Sequence, residues 1–214
     1  MAILKEPVQG VTLSSEQKVL LDGYVDLLMD YNQRVNLISR KSVRADFERH
    51  VCHCLCIGRN RFEDGSVVVD WGSGGGLPAI PLAVLFPKSR FVAVDKVRKK
   101  VTAVEYFAAE LGLTNVDMWW GRAEEYPGKA DYSVSRATAP LTRLWEWHSR
   151  IRKKPLVSEH SWLPGLIALK GGDLSSEIRE MQKSFPKVEV VLEKIDSING
   201  EDAVDKFILS AFRL

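Results

Sequence analysis

Two carboxylates stand where parallel-sheet proteins hold a ligand: Asp70, which closes the apolar run SVVVD, and Asp95, which closes RFVAVD. Between them, Asp70 is followed by Trp71-Gly72-Ser73-Gly74-Gly75-Gly76-Leu77-Pro78. An apolar run, an acid, a glycine turn and a helix opening suit a ligand that must approach the backbone closely. Glycine accepts positive φ, and a helix N-terminus offers free N–H groups. A dinucleotide fingerprint counted from Gly72 and Gly74 needs its third glycine at position 77, which is Leu77. The segment instead reads D-x-G-x-G-x-G. An acid just before the turn repels a pyrophosphate but suits a cationic amino-acid head, and Asp95 can accept hydrogen bonds from both ribose hydroxyls. S-adenosylmethionine, with its ammonium, sulfonium and ribose, meets both demands; a nicotinamide or flavin cofactor, or a merely flexible turn, accounts for less of the pattern.

A second cluster, His50, Cys52, His53, Cys54 and Cys56, invites a metal reading, because Cys52 and Cys56 share a helix face. A zinc site normally draws on two pairs of ligands, and no second pair at such spacing occurs. His148 and His160 stand alone. The cysteines read as small packing residues, and no metal is expected.

The elements that must carry these groups can be read from the pattern. Ser14-x-x-Gln17 is a capping box, and Val19, Leu20, Tyr24, Leu27, Leu28 and Tyr31 recur at helical spacing, which predicts a helix over 15–31. A second helix is expected from an N-cap at Ser42 towards Ile57. From Gly65 short apolar runs alternate with helical stretches: strands over 66–71, 90–94, 116–120, 131–135 and 163–169, and helices over 77–85, 98–111, 141–152 and 174–184. That alternation predicts an α/β fold with a parallel sheet covered on both faces. Runs at 188–193 and 206–211 have no helix between them and suggest an antiparallel hairpin at the sheet edge. Two units result: an all-helical extension over 1–62 and a cofactor-binding domain over 63–214.

Thirty basic residues against 28 acidic ones, and 45% hydrophobic residues, exclude collagen-like and disordered chains. The net charge of +2 argues weakly against nucleic acid. Its distribution argues otherwise: residues 34–61 hold seven basic and two acidic residues, and residues 173–205 four basic and nine acidic. Three basic groups, Arg34/Arg40/Lys41/Arg44/Arg49, Lys96/Arg98/Lys99/Lys100 and Arg143/Arg150/Arg152/Lys153/Lys154, could rim a phosphate-binding surface. Trp119 and Trp120 end a strand and read as core and cover. No apolar run is long enough to span a membrane, and MAILKEPVQG lacks a signal peptide's features, so a cytoplasmic, membrane-free monomer is expected.

Several stretches together resemble the bacterial small-subunit ribosomal RNA guanine-N7 methyltransferases, the RsmG or GidB family: VVVDWGSGGGLPAIPLA, GRAEEY, SRATAPL, ALKGG, YNQRVNLIS and the Arg49-His50 pair. The resemblance implies a class I (Rossmann-like) S-adenosylmethionine-dependent methyltransferase sheet with an N-terminal helical extension. It also implies methylation of one guanine in a decoding-region loop of 16S ribosomal RNA, met as naked RNA or in the small subunit. By motif matching it assigns cofactor contacts to Gly72 and Leu77, places Ala123 and Glu124 beside the adenine and sets Arg136 at the mouth of the site; Gly74, Asp70 and Asp95 complete the cofactor set. The chain departs from the family's His-x-x-Asp-Ser pattern, having His53 and Cys54 there, and Trp71 and Gly75 replace commoner residues.

Guanine N7 carries a lone pair and no proton, so its methylation needs no general base; alignment and electrostatics suffice. Arg136 is the candidate to orient the guanine or hold the cofactor, its alternative being an ion pair with Glu124. Arg122, His50, Asn36 and Lys170 are candidates for the RNA side. Asn36 could equally bond its own turn. A small-molecule methyltransferase, or a cofactor-binding protein without activity, would share the glycine loop but not the basic extension.

Overall fold

A computed structural model describes residues 8, 10–153 and 161–213; Lys154, His160 and most of the first ten residues lie outside the described residues. The alternating runs become β1 (Val67–Trp71), β2 (Arg90–Asp95), β3 (Val116–Trp120), β4 (Tyr132–Arg136) and β5 (Gly165–Gly171). Between them lie α3 (Ala79–Leu85), α4 (Arg98–Glu110), α5 (Leu141–Ile151) and α6 (Ser175–Ser184), after the extension's α1 (Ser15–Asn32) and α2 (Arg44–Leu55). The expected hairpin forms from β6 (Glu189–Ile198) and β7 (Glu201–Phe212), both longer than the apolar runs suggested. The seven strands are ordered β3-β2-β1-β4-β5-β7-β6. Strands β1 to β5 are parallel neighbours; β7 runs antiparallel to both β5 and β6 and so lies inside the sheet.

Side chains alternate across the sheet and feed two cores. Val68, Phe91, Tyr132, Val134, Ile167 and Ile208 face α1 to α4, while Val69, Trp71, Val92, Leu166 and Leu209 face α5 and α6. The extension is continuous with the first of these cores, through Leu21, Tyr24, Leu28, Val51 and Leu55.

Ser14 caps α1, its hydroxyl accepting the Gln17 N–H while the Gln17 side chain accepts the Ser14 N–H, the reciprocal box expected. Gln17 also donates to the Val84 and Leu85 carbonyls, tying α1 to the free end of α3. The start of α2 differs from the expected Ser42 cap. Val43 holds that place, and the Asp46 carboxylate accepts the Val43 N–H at 2.8 Å. The acid in the first turn thus satisfies the N-cap residue's own N–H, while no N-cap side chain accepts a first-turn N–H as a serine hydroxyl would have done.

The tip between α1 and α2 is held by Asn32, whose buried Oδ1 accepts the Leu37 and Ile38 N–H groups. Arg49 of α2 reaches Glu201 and the Asp202 carbonyl, and Arg59 donates to the Lys194 carbonyl, so the extension also docks on the hairpin.

Candidate active site

Strands β1, β2, β3 and β4 end on one edge, and there the chain leaves a cleft of about 400 Å³. Its walls are Gly72, Asp95, Lys96, Val97, Lys100, Gly121, Arg122, Ala123, Glu124, Ala137, Thr138 and Trp147.

Geometry explains two of the loop glycines. Gly72 has φ +68°, and a Cβ there would lie 2.3 Å from the Thr138 Cγ2. Thr138 in turn donates to the Trp71 carbonyl at 2.9 Å, clamping the ends of β1 and β4 together. Gly75 admits the extension: a Cβ there would sit 2.8 Å from the Leu28 Cδ1. From the same helix, Tyr24 donates its buried hydroxyl to the Gly75 carbonyl at 2.7 Å.

The two acids divide their work. Asp95 accepts the Gly74 N–H through one oxygen at 3.1 Å and the Val97 N–H through the other at 2.8 Å. It thus joins the glycine loop to the start of α4 while lining the cleft. Asp70 lies on the other face of its strand from Trp71, fully buried beneath the extension. One oxygen accepts the Ala79 N–H at 3.1 Å, and the other, Oδ1, has no partner. Burial pushes its carboxyl up to about 8, against the lowering effects of the Ala79 hydrogen bond and nearby Arg136. Asp70 is therefore not a wall of the cleft, contrary to the direct contact expected with a cationic head; largely protonated at neutral pH, it supports the loop from beneath.

Arg136 ends β4 on the same face as Asp70. Its Nη1 lies 2.9 Å from the His50 Nδ1 of α2. Burial, then the Arg136 charge, lowers His50 to about 4, so the ring is neutral at neutral pH. A neutral ring accepting the guanidinium's N–H at Nδ1 carries its own proton on Nε2. The alternative ion pair of Arg136 with Glu124 is not what forms: Glu124 pairs with Arg143 at 3.1 Å.

Other expected residues fall in different places. Leu77 is 5% exposed and packs in the core, so its side chain does not face the cleft. Lys170 is drawn away from phosphate: its Nζ donates to Glu177 at 2.7 Å and to the Ala139 carbonyl at 3.0 Å. Glu177 also accepts the Leu141 N–H, so this pair anchors the start of α5. Asn36 is exposed on the tip, where Asn32 makes the local backbone bonds. His53 is half-buried, its Nε2 without a partner. All three cysteine thiols are free and buried; burial raises Cys52 and Cys54 to about 12 and Cys56 to about 11. His148 is a core histidine against Ser133. Among the described residues no three His, Cys, Asp or Glu side chains are placed to hold a metal ion.

The basic groups fare unequally. Arg34 pairs with Asp30, Arg44 with Asp22, Asp26 and Glu48, and Arg49 with Glu201. In the third group Arg143 and Lys153 are paired as well. Thr138 and Trp147 line the cleft although the residues gave no sign of it: their roles depend on strand and helix ends meeting, which no local spacing encodes.

A parallel sheet with an acid and a glycine turn at the ends of its inner strands, opening on a nucleoside-sized cleft, defines a Rossmann-like methyltransferase. Solved structures agree on the fold. A precorrin-6y C5,15-methyltransferase from Geobacter metallireducens matches with a TM-score of 0.57 at 16% identity, covering 82% of this chain and 92% of that one. A ribosomal protein L11 methylase from Lactobacillus delbrueckii matches at 0.56 and 18%, covering 80% of each.

The family is given by sequence. The model described as rRNA small subunit methyltransferase G matches residues 17–204, and the chain belongs to that family. Proteins named ribosomal RNA small subunit methyltransferase G are 46% identical in Salinibacter ruber, over 89% of both chains, and 42% identical in Chlorobaculum tepidum, over 83% of this chain and 79% of that one.

Proposed function

We propose that this protein transfers the methyl group of S-adenosylmethionine to N7 of a guanine in a decoding-region loop of 16S ribosomal RNA. The observation that carries this reading is that the family match, over residues 17–204, encloses every residue of the cleft and the whole Arg136–His50 contact.

The residues present fit the cofactor. The cleft is of nucleoside size, Gly72 leaves room where any side chain would collide, and Asp95 stands at the ribose position with spare lone pairs. Gly74, fixed by Asp95, presents the loop; Ala123 and Glu124 form the wall for the adenine; Asp70, with an unpartnered Oδ1, lies beneath the loop as a polar support. When bound, the cofactor supplies an electrophilic methyl group on a sulfonium.

The chain's own task is alignment and exclusion of water, since N7 has no proton to lose. Arg136 is assigned the guanine: its guanidinium can donate to O6 or to phosphate, and should not face N7, where positive charge develops. His50 holds Arg136 in place as a neutral acceptor. Exposed Arg122 at the lip of the cleft is assigned to phosphate. We take the enzyme to meet its ribosomal RNA substrate in the cytoplasm and to work as a monomer.

The test is incubation with labelled S-adenosylmethionine and small subunits, or naked 16S RNA, lacking the modification, followed by mapping of N7-methylguanine. Label at a single guanine is expected; no incorporation into either acceptor overturns the reading.

A further inference from the structure

Trp120 is the one tryptophan of six left exposed: 53% of it is accessible at the end of β3, whereas Trp71, Trp145 and Trp162 are buried and Trp119 and Trp147 half-buried. The expectation that it serves as core or cover therefore fails, and its setting says what it does instead. Its Nε1 donates to the Lys96 carbonyl at 3.1 Å, which fixes the ring. The Arg98 guanidinium lies 4.5 Å from the ring centroid. A held indole with a cation on it is an amphipathic platform, pre-oriented to receive a flat ring.

The surroundings name the partner. Trp120 lines an open groove of about 490 Å³ with Lys96, Val97, Gly121, Arg122 and Glu125. Lys96, Val97, Gly121 and Arg122 also belong to the cofactor cleft, so groove and cleft are continuous. Among the described residues no ion pair is formed by Lys96, Arg98, Lys99, Lys100 or Arg122, while several of the extension's arginines are neutralised by neighbouring acids. The unneutralised positive charge thus sits around an exposed aromatic face at the lip of the cleft. Stacking and phosphate attraction together are the chemistry of single-stranded nucleic acid recognition.

The geometry points to Trp120, backed by Arg98, as a stacking platform for an unpaired base of the substrate RNA, with Lys96, Lys99 and Arg122 on the adjoining phosphates. This rests on the RNA reading of the cleft and adds to it a second contact point outside the cofactor cleft. The platform fixes how the strand enters without touching the reacting atoms.

Trp120→Ala and Trp120→Phe in the full chain test it, with affinity for a fluorescent single-stranded RNA oligonucleotide, affinity for S-adenosylmethionine, and methyl transfer to 16S RNA measured in parallel. Loss of one stacked base should weaken oligonucleotide binding by about tenfold in the alanine variant. The phenylalanine variant should retain most of the affinity, cofactor affinity should stay unchanged, and the methyl-transfer KM for RNA should rise with little change in kcat. Wild-type RNA affinity in the alanine variant, or an equal loss of cofactor affinity, overturns the platform. Wild-type transfer to 16S RNA separately decides the function itself, because the oligonucleotide measurement does not depend on turnover.

Discussion

At the scale of single residues, the site works through positions where a side chain is absent or a hydrogen bond is withheld. Gly72 combines φ +68° with the Thr138 methyl 2.3 Å from where a Cβ would be. Gly72→Ala must therefore either push Thr138 off the Trp71 carbonyl or deform the loop, in addition to about 1 kcal/mol for the left-handed backbone. Cofactor affinity should fall at least about tenfold, with the thermal midpoint lowered by at least about 2–4 °C, a pair of values that calorimetry of binding and of unfolding would give. Unchanged affinity would remove Gly72 from the cofactor wall. The glycine pattern and the two acids were legible in the sequence because each is a local requirement. Whether a charged side chain is free was not: Lys170 meets Glu177 only across a turn of backbone, and Arg49 meets Glu201 from 152 positions away.

Elements rather than residues set the rigidity of the cleft, and Asp95 shows how. Its two oxygens hold the loop after β1 and the first turn of α4 to the end of β2. Asp95→Ala should release both segments and weaken cofactor binding by more than the loss of ribose contacts alone. Asp95→Asn, which keeps one acceptor oxygen, should lie between. Amide exchange at Gly74 and Val97 is the discriminating measurement: faster exchange at both in the alanine variant is expected, and unaltered protection would confine Asp95 to ligand contact. Strands β1 to β5 could be read from their apolar runs because buried parallel strands are continuously hydrophobic. The full lengths of β6 and β7 could not, since Val191, Leu192 and Val204 are exposed amid charges, and the pattern there fits neither a buried strand nor a clean alternation. The start of α2 was not legible for a similar reason: Val43, with no capping side chain, takes the N-cap position next to Ser42, and Asp46 accepts its N–H.

For the molecule as a whole, buried ionisable groups give stability a maximum in pH. Burial holds His50 at about 4 and His53 and His148 at about 3, below the ordinary value of 6.5. The unfolded chain binds more protons below pH 6.5, so stability falls as pH drops from there towards 4. Asp70 acts in the opposite sense: its carboxyl, raised from 3.8 to about 8, keeps a proton in the folded state that the unfolded state gives up, so stability also declines as pH rises towards 8. A thermal midpoint highest between about pH 6 and 7 is expected. Asp70→Asn should raise the midpoint at pH 8 by a few degrees and flatten the alkaline limb. An alkaline limb unaltered by Asp70→Asn would show that the buried acid is not its source.

The position of β7 has a consequence for how such an enzyme is made. Of the elements described it is the last to be synthesised, yet it is paired on both sides, with β5 and with β6. Until it emerges, β5 presents a bare edge to the crowded surroundings of a translating ribosome, and the hairpin acids that receive Arg49 are missing. A protein whose substrate is ribosomal RNA thus cannot complete its own sheet before β7 has emerged, and nascent chains stalled before residue 201 should be chaperone clients rather than early methyltransferases.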